Sequence, residues 1–473
     1  PPTTAQKRSH PGEDVEMTPD EPRRQRSMAA PAPNGAASEP QPAGSPEKLP
    51  QQDANADGPR SADEFGLNFP LPSEEKHGSG ASTPCMVKLY DADAEAVRMC
   101  DCVEIVGVLC INPEIADFDP TPLCDAGPGR DARHPSTALV PRIHAILMRK
   151  LPFQHPMFPF SQAWLTEARL AAECQRQFGA PGALAAAREA AIRQLLPGLG
   201  GDALAAEYAL MQMVSRAFDK YGEKLLGAWS LNLAKWPEGL PVQGFSQAAA
   251  ELVPRSAHLC VTPETLGAQR WRPRKDFVAN RLVAAQLQLA PGTLLVLDET
   301  QMAAGQVSAP GVQALTAIGT LVTQNSLTLD FMSYDVNVPL ELSCVLVSSG
   351  RSIIKDVDIT LPLKPCASTG QAPQPAPLDA ARFLIGLVTR CPRALKIPDD
   401  VASQFSTDFA ALRQELQVAP EVAHTWMALA RASCLIHGED VLTKERWGAV
   451  LMLERERLRR CKEHGMLEQQ AAP

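Results

Sequence analysis

The chain has 473 residues, 45% of them hydrophobic and 5% aromatic, which is enough for two or three domains with a sizeable core. A formal net charge of −9 and a pI of about 5.6 argue against a broad basic surface for nucleic acid. The 12 cysteines are scattered, and the close pair Cys100 and Cys102 is poorly spaced for zinc. We expect reduced thiols, no metal site and, because no long apolar run occurs, no membrane-spanning helix.

Residues 1–84 are predicted to be a disordered linker. They hold 15 of the 43 prolines and only two aromatic residues, so they cannot bury enough apolar surface to offset the entropy of ordering. One apolar island lies at 65–72, and we predict that it docks on a folded surface through Phe65, Leu67, Phe69 and Leu71. The chain begins with Pro1 rather than Met, which indicates that a natural beginning is missing.

Residues 85–135 are predicted to form a small β-rich part that resembles an incomplete OB domain. The segments "CMVKLYD" and "DCVEIVGVLCI" alternate apolar and polar residues, as half-buried strands do, and Gly107 is a candidate bulge. A loop rich in Pro, Gly and Asp follows over 113–135. Two strands do not make a stable domain alone, so they need partners.

Residues 136–364 are predicted to form an α/β domain. The segment 138–151 is a short strand or helix, and 162–195 holds two helices broken at 179–182. Asp202 is the expected N-cap of a helix whose apolar stripe runs to Tyr221. Continuous apolar strands follow, with helices between them, which is typical of a parallel sheet covered on both faces. The strands are expected near 229–234, 258–262, 293–299 and 340–349, and the helices near 245–252 and 276–289.

The remaining residues are predicted to be helical. A proline-rich linker occupies 365–377, and helices fill 378–464, with starts at Asp399 and Thr443. The predicted fold class is therefore α/β: a degenerate AAA+-like parallel-sheet module with a C-terminal helical lid.

The stretch "PGTLLVLDET" at 291–300 carries the strongest chemical motif. An apolar strand ending in Asp298 and Glu299 resembles the Walker B element of nucleotide hydrolases, in which the Asp holds Mg²⁺ through its water shell and the Glu activates a water. A working site also needs a Gly-rich phosphate loop with Lys and Ser/Thr after the first strand of the sheet.

That loop is degenerate in this sequence. It contains Lys235, Trp236, Pro237, Glu238 and Gly239, with no Gly-Lys-Ser/Thr. Pro237 and the following Pro241 lack backbone N–H donors, and Glu238 places negative charge where phosphate would bind. We predict no ATP hydrolysis, no catalytic residues and no bound cofactor.

Other candidate residues carry weaker signals. His144 and His258 lie on apolar stretches and are predicted to be satisfied structural histidines. Gly350-Arg351 is predicted to be a turn rather than an arginine finger. The basic cluster at 272–275, beside Trp271, is predicted to be a solvated loop, with contact to phosphate or to an acidic partner as the alternative.

Several long strings resemble the minichromosome maintenance (MCM) complex-binding protein family. They are "LNFPLP" at 67–72, "ALVPRIHAIL" at 138–147, "GDALAAEYALMQMVS" at 201–215, "DFVANRLVAAQLQLAPGTLLVLDET" at 276–300, "SSGRSII" at 348–354 and "LTKERWGAVLMLERERLRR" at 442–460. The resemblance implies a nuclear, non-enzymatic protein that binds MCM helicase subunits and reaches chromatin through them. It also implies roles in unloading MCM after replication, in protecting its subunits and in sister-chromatid cohesion.

Three functions stay open at this point. The first is an interaction protein that mimics a helicase subunit without using ATP. The second is an active AAA+ ATPase with an unconventional loop, which the sequence at 234–241 disfavours. The third is a replication factor that binds nucleic acid through an OB-type barrel, which the acidic pI disfavours.

Overall fold

We describe a computed structural model of the chain. It describes residues 85–90, 95, 97–110, 140–151, 167–221, 224–277, 280–302, 305–366, 378–390, 395–416, 420 and 422–466. The predicted linker at 1–84, the docking motif at 65–72 and the proline-rich linker from 367 to 377 lie outside the described residues.

The first sheet has three strands, β1 Met86–Lys88, β2 Val103–Cys110 and β3 Arg142–Lys150. β3 is central, parallel to β1 and antiparallel to β2. The register shifts beside Gly107, which confirms the predicted bulge. A Cβ there would lie 2.3 Å from the carbonyl oxygen of His144, so the close approach requires glycine. β3 pairs with both β1 and β2. The domain boundary predicted between residues 135 and 136 therefore falls inside one sheet.

Three helices follow, α1 Glu167–Phe178, α2 Ala183–Leu195 and α3 Ala203–Val214. The break between α1 and α2 is confirmed, with Gly182 at a φ of 78°. Asp202 caps α3 as predicted, since its side chain accepts from the backbone N–H groups of Leu204 and Ala205. These first helices supply one wall of the main core.

The prediction that the α3 stripe continues to Tyr221 was wrong. Ser215 ends the helix, and its hydroxyl donates to the carbonyl oxygen of Gln212 at 3.0 Å. Arg216 then reaches the sheet, where its guanidinium donates to Ser343 Oγ at 2.6 Å. Phe218 is 49% exposed under the Arg431 guanidinium. Tertiary contacts to the sheet therefore override the helical periodicity.

The later strands form three sheets within the described residues. In chain order they are β4 Asp219–Tyr221, β5 Lys224–Leu226, β6 Leu231–Ala234, β7 Ser256–Cys260, β8 Arg274–Asp276, β9 Arg281–Val283, β10 Leu294–Asp298, β11 Ser326–Asp330, β12 Asp335–Pro339, β13 Ser343–Val347 and β14 Ile359–Pro362. The main sheet is entirely parallel, in the order β14-β6-β13-β10-β7. It contains the four strands predicted from the sequence, and β14 joins them at one edge.

The prediction of a helix over 276–289 was wrong. β8 and β9 form a hairpin here, and β8 pairs with β11 in a four-stranded sheet of the order β12-β11-β8-β9. Asn280, before β9, has a φ of 49°, a left-handed conformation that suits a tight turn. The apolar residues Leu287 and Leu289 are buried in an irregular segment after β9 instead of on a helix.

Seven further helices cover the sheet. They are α4 Val242–Ala250, α5 Pro263–Ala268, α6 Ala309–Gln324, α7 Asp379–Arg390, α8 Asp399–Leu416, α9 Val422–Ile436 and α10 Lys444–Glu463. None of the helices in the described part of the chain has both the length and the apolar character to cross a bilayer.

Two hydrophobic cores lie on opposite faces of the main sheet. Successive residues of β10 alternate between them, with Leu294 and Val296 in the first core and Leu295 and Leu297 in the second. The first core also includes side chains from α7, α8, α9 and α10, so the C-terminal helices share a core with the sheet. The chain from β4 onward is thus an α/β structure completed by helices.

Candidate functional site

The candidate site lies where β6, β13 and β10 end. These strands are parallel neighbours, so their carboxyl ends meet at one edge of the sheet. β6 is also the strand at which the chain order reverses, because β7 lies far to one side and β14 on the other. Open α/β sheets bind ligands outside such a switch point. The sequence-predicted loop after β6 and the acidic pair after β10 are therefore brought to the same edge.

Trp236 fills the loop after β6. Its side chain is 5% exposed, and its indole Nε1 donates to the carbonyl oxygen of Leu240 at 2.7 Å. The ring packs against Phe245 of α4 at a centroid distance of 6.3 Å. Its backbone N–H donates to the carbonyl oxygen of Ser348 at 3.0 Å. The indole and the backbone of Trp236 thus tie the loop to itself and to the neighbouring strand.

The other loop residues make no phosphate cradle. Lys235 is exposed and adopts a φ of 56°, directly after the strand. Pro237, Glu238 and Gly239 lead into α4, with Glu238 and Gly239 exposed. A phosphate loop needs several backbone N–H groups aimed at the ligand, whereas the Trp236 N–H is bonded within the sheet and Pro237 has none.

Asp298 is buried and held by two neighbouring groups. Its Oδ1 accepts from the backbone N–H of Thr300 at 2.9 Å and from the Thr300 hydroxyl at 2.6 Å. Its Oδ2 lies 3.6 Å from His258 Nε2. Burial opposes ionisation, but the interactions with His258 and Thr300 outweigh it and hold the pKa of Asp298 below its usual value. The carboxylate is therefore ionised and oriented by its own chain.

Glu299 binds the loop after β13. Its Oε1 accepts from the hydroxyl of Ser352 and its Oε2 from the backbone N–H of Ile353, both at 3.0 Å. The side chain is 5% exposed, and burial raises the pKa of Glu299. Both carboxylate oxygens thus have protein partners, which suits a group that fastens a loop better than one that activates water.

The end of β13 is held by its neighbours as well. The Ser348 hydroxyl donates to Asn232 Oδ1 on β6 at 2.9 Å. Asn232 is a buried polar residue that the sequence analysis did not single out, although an Asn inside an apolar strand is a visible signal. Arg351 lies in a bend and donates to the backbone carbonyl of Gly465 after α10, in agreement with the predicted turn.

Two histidines predicted to be satisfied behave differently. His144 meets the prediction, because its Nδ1 forms a 2.6 Å hydrogen bond with the Tyr90 hydroxyl. For His258 the contact is looser, because Asp298 Oδ2 lies 3.6 Å from its Nε2, an ionic contact beyond hydrogen-bonding distance. Its Nε2 is buried and has no hydrogen-bond partner among the described residues. Register places it on the same strand face as Cys260, and Cys260 lies directly opposite Asp298. The sequence analysis missed this grouping, because strand register is not visible in the sequence.

The basic cluster is largely neutralised. Arg272 donates to both carboxylate oxygens of Asp335, at 2.9 and 2.8 Å, and also lies 3.3 Å from Asp330. Trp271 beside it is buried, and its indole donates to the carbonyl oxygen of Thr265 at 3.0 Å. Arg272 therefore fixes the β11–β12 hairpin, and it is not the solvated loop residue that was predicted.

Fold and site together define a class: an α/β protein with a parallel sheet, in which the acidic pair at a strand end and the loop beside it are bound by neighbouring residues. The chain belongs to the mini-chromosome maintenance replisome factor family, whose model matches residues 1–461.

Relatives from Danio rerio, Homo sapiens and Arabidopsis thaliana are each 29% identical to it, and each is called mini-chromosome maintenance complex-binding protein. The matches cover 88%, 82% and 81% of this chain, and 67%, 62% and 64% of the relatives. The chain thus spans about two thirds of the length of these relatives.

Proposed function

We propose that this chain binds MCM helicase subunits and regulates DNA replication through that contact, without hydrolysing ATP. Family membership and the names of the relatives support binding to the MCM complex. The absence of ATP use is supported by one observation above all. Each carboxylate oxygen of Glu299 accepts a hydrogen bond from the loop at 352–353, so the residue in the position of a water-activating group is already engaged.

The proposed architecture is a degenerate AAA+-like module. It is supported by the all-parallel sheet, by the loop that joins β6 to α4 at the switch point and by the acidic pair on β10. The C-terminal helices are proposed to correspond to the lid, and the sheet of β1, β2 and β3 to part of an OB-like domain. Domain boundaries at 84, 364 and 377 are part of this proposal, and the OB-like part extends through β3, because β3 pairs with β1 and β2.

The proposed mechanism is mimicry of a helicase subunit. A protein with the shape of a neighbouring subunit can occupy an interface between MCM subunits and exclude the natural neighbour. Such competition depends on the shape and surface of the protein, so it does not require an open nucleotide site. The docking motif at Phe65, Leu67, Phe69 and Leu71 is proposed to add a second contact, which would raise the effective affinity.

The proposed cellular role follows from the proposed contact. In the nucleus the chain would promote unloading of MCM from chromatin after replication, protect free MCM subunits and support sister-chromatid cohesion. It would reach chromatin through MCM, and direct nucleic-acid binding is not required.

Two measurements test this proposal. Calorimetry of the purified chain with Mg-ATP should show no saturable binding up to millimolar ATP, because the loop at 235–241 offers no phosphate cradle. Capture of individually purified MCM subunits should succeed for at least one subunit, and equally well with the wild type and with Glu299→Gln. The matched control is Lys235→Ala, which removes the exposed lysine of the same loop.

Different outcomes overturn different parts of the proposal. Micromolar ATP affinity, or release of captured MCM that is lost in Glu299→Gln, would restore the ATPase hypothesis. Failure to capture any MCM subunit would remove the proposed partner while leaving the description of the strand-end site intact.

A further inference from the structure

Three metal-binding side chains converge beside the strand-end site. They are His258, Cys260 and Asp298, whose potential ligand atoms all lie within 4.8 Å of one another. The parallel register pairs Val296 with His258 and Asp298 with Cys260. Because side chains alternate along a strand, His258 and Cys260 on β7 project from the same sheet face as Asp298 on β10.

The distances fit a small tetrahedral ion. With Zn–N and Zn–O bonds of about 2.1 Å, two ligands of a tetrahedral zinc are about 3.4 Å apart. His258 Nε2 and Asp298 Oδ2 are 3.6 Å apart. The widest separation in the group, 4.8 Å at most, needs roughly 1 Å of side-chain movement to reach bonding geometry.

His258 supplies the independent sign of a ligand. Its Nε2 is buried and forms no hydrogen bond with a described group, and Asp298 Oδ2 lies 3.6 Å from it as an ionic contact. Its whole side chain is only 12% exposed. Buried polar atoms in native proteins almost always have a hydrogen-bond partner. A buried nitrogen without one calls for an explanation, such as a bound ion. The nitrogen points toward Asp298, and a zinc ion between them would satisfy both.

The groups around Asp298 are arranged as a supporting shell. The Thr300 backbone and hydroxyl both bind Oδ1, which fixes the carboxylate plane and leaves Oδ2 facing His258. Hydrogen bonds of this kind orient the ligands of protein metal sites. Cys260 is only partly buried, which provides a route for the ion from solvent.

We propose that His258, Cys260 and Asp298 bind one zinc ion, with a water molecule in the fourth position. The mixed nitrogen, sulfur and oxygen donor set suits zinc, whereas Mg²⁺ and Ca²⁺ prefer oxygen ligands alone. Binding displaces the Cys260 thiol proton to solvent and forms the zinc–sulfur bond. The ion fastens the edge strand β7 to β10 at the strand ends, and its binding depends on neither MCM binding nor the absence of ATP use.

The test uses the full chain, stripped of metal with a chelator and then titrated with zinc chloride. We expect one zinc per chain, and a zinc affinity that falls roughly tenfold or more in Cys260→Ser and in His258→Gln. Cobalt chloride should give a sulfur-to-cobalt charge-transfer band in the wild type that is absent from Cys260→Ser. Zinc should also protect Cys260 from alkylation, as read by mass spectrometry.

The matched control is Cys366→Ser, which removes an exposed cysteine away from the group. It should bind zinc as the wild type does. Circular dichroism of each variant verifies folding, and the alkylation of wild-type Cys260 requires no variant at all. Absence of zinc binding, or zinc binding that is equally strong in Cys260→Ser and His258→Gln, would overturn the proposal, as would unprotected Cys260 in the zinc-loaded wild type.

Discussion

Buried carboxylates serve two regions of this molecule in different ways. At the strand ends, Asp298 and Glu299 accept mainly from hydroxyl and backbone groups of adjacent loops. Where the C-terminal helices meet the sheet, Asp202 and Glu454 instead pair with arginines of α10. Arg460 lies 2.6 Å from Asp202, and Arg457 lies 2.7 Å from Glu454.

This difference indicates that the C-terminal helical region is fixed to the sheet. A helical region that moves with the nucleotide state needs an interface that opens easily. Here Arg457 also donates to the carbonyl oxygen of Thr360 on β14 at 3.1 Å, and Arg460 to that of Pro362 at 3.3 Å. Separating α10 from the sheet would break the buried ion pair between Arg460 and Asp202 and both hydrogen bonds to β14, which is expensive. The ionic interface therefore favours a fixed helical region, in keeping with an interaction protein.

The largest effect is expected at the helical interface. Glu454 is 1% exposed and binds the Tyr208 hydroxyl, the Trp426 indole and Arg457. Glu454→Ala should lower the free energy of unfolding by about 3–5 kcal/mol, because it leaves Arg457 buried without its charged partner. Urea unfolding measures this.

The control for that change is Glu463→Ala on the same helix, where the side chain is 51% exposed. It should shift stability by less than about 1 kcal/mol. Equal effects of the two substitutions would show that the interface is not the fixed element inferred above.

A smaller effect is expected at the strand ends. Trp236→Ala empties the loop interior and should lower the free energy of unfolding by about 3 kcal/mol, the lower end for a buried tryptophan. Trp236→Phe keeps most of the burial and loses the hydrogen bond to Leu240, so it should cost about 1 kcal/mol. Urea unfolding again gives both values. Saturable Mg-ATP binding by Trp236→Ala would mean that the indole alone blocks the site.

Much of the fold was predictable because its signals are local. The apolar strands β6, β7, β10 and β13 were recognised by composition, and the cap at Asp202 by residue type and position. The helix expected at 276–289 failed because an apolar periodicity there serves a hairpin whose partner strand, β11, lies about fifty residues further along. Non-local pairing of this kind overrides local propensity.

The candidate site was predictable to the same extent, through its local signals. Asp298, Glu299 and the degenerate loop were identified because each motif is contiguous in the sequence. The partners that decide their chemistry were not, since Ser352, Ile353 and His258 come from other segments. A His-x-Cys pattern in an apolar strand was the available signal for the metal group, and its meaning depended on the register of β7 against β10.

The smallest effect concerns His437, which follows α9 in the helical region. Burial lowers the pKa of His437, and the nearby charges of Arg446 and Arg188 add to this, while its hydrogen bond to the Ser433 carbonyl oxygen at 2.7 Å opposes it. The folded protein thus binds a proton here less readily than the unfolded chain, whose histidine titrates near 6.5. Neutral His437 makes its full contribution to the free energy of unfolding above that pH. This contribution is lost as the pH falls through 6.5 toward the pKa of His437 in the folded protein. His437→Gln should therefore flatten the decline in unfolding free energy between pH 7.5 and pH 5.5, as measured by urea titration at each pH.

His464→Gln, at an exposed position at the end of α10, is the control and should keep the wild-type slope. An unchanged slope in His437→Gln would mean that the acid sensitivity of the helical region arises elsewhere.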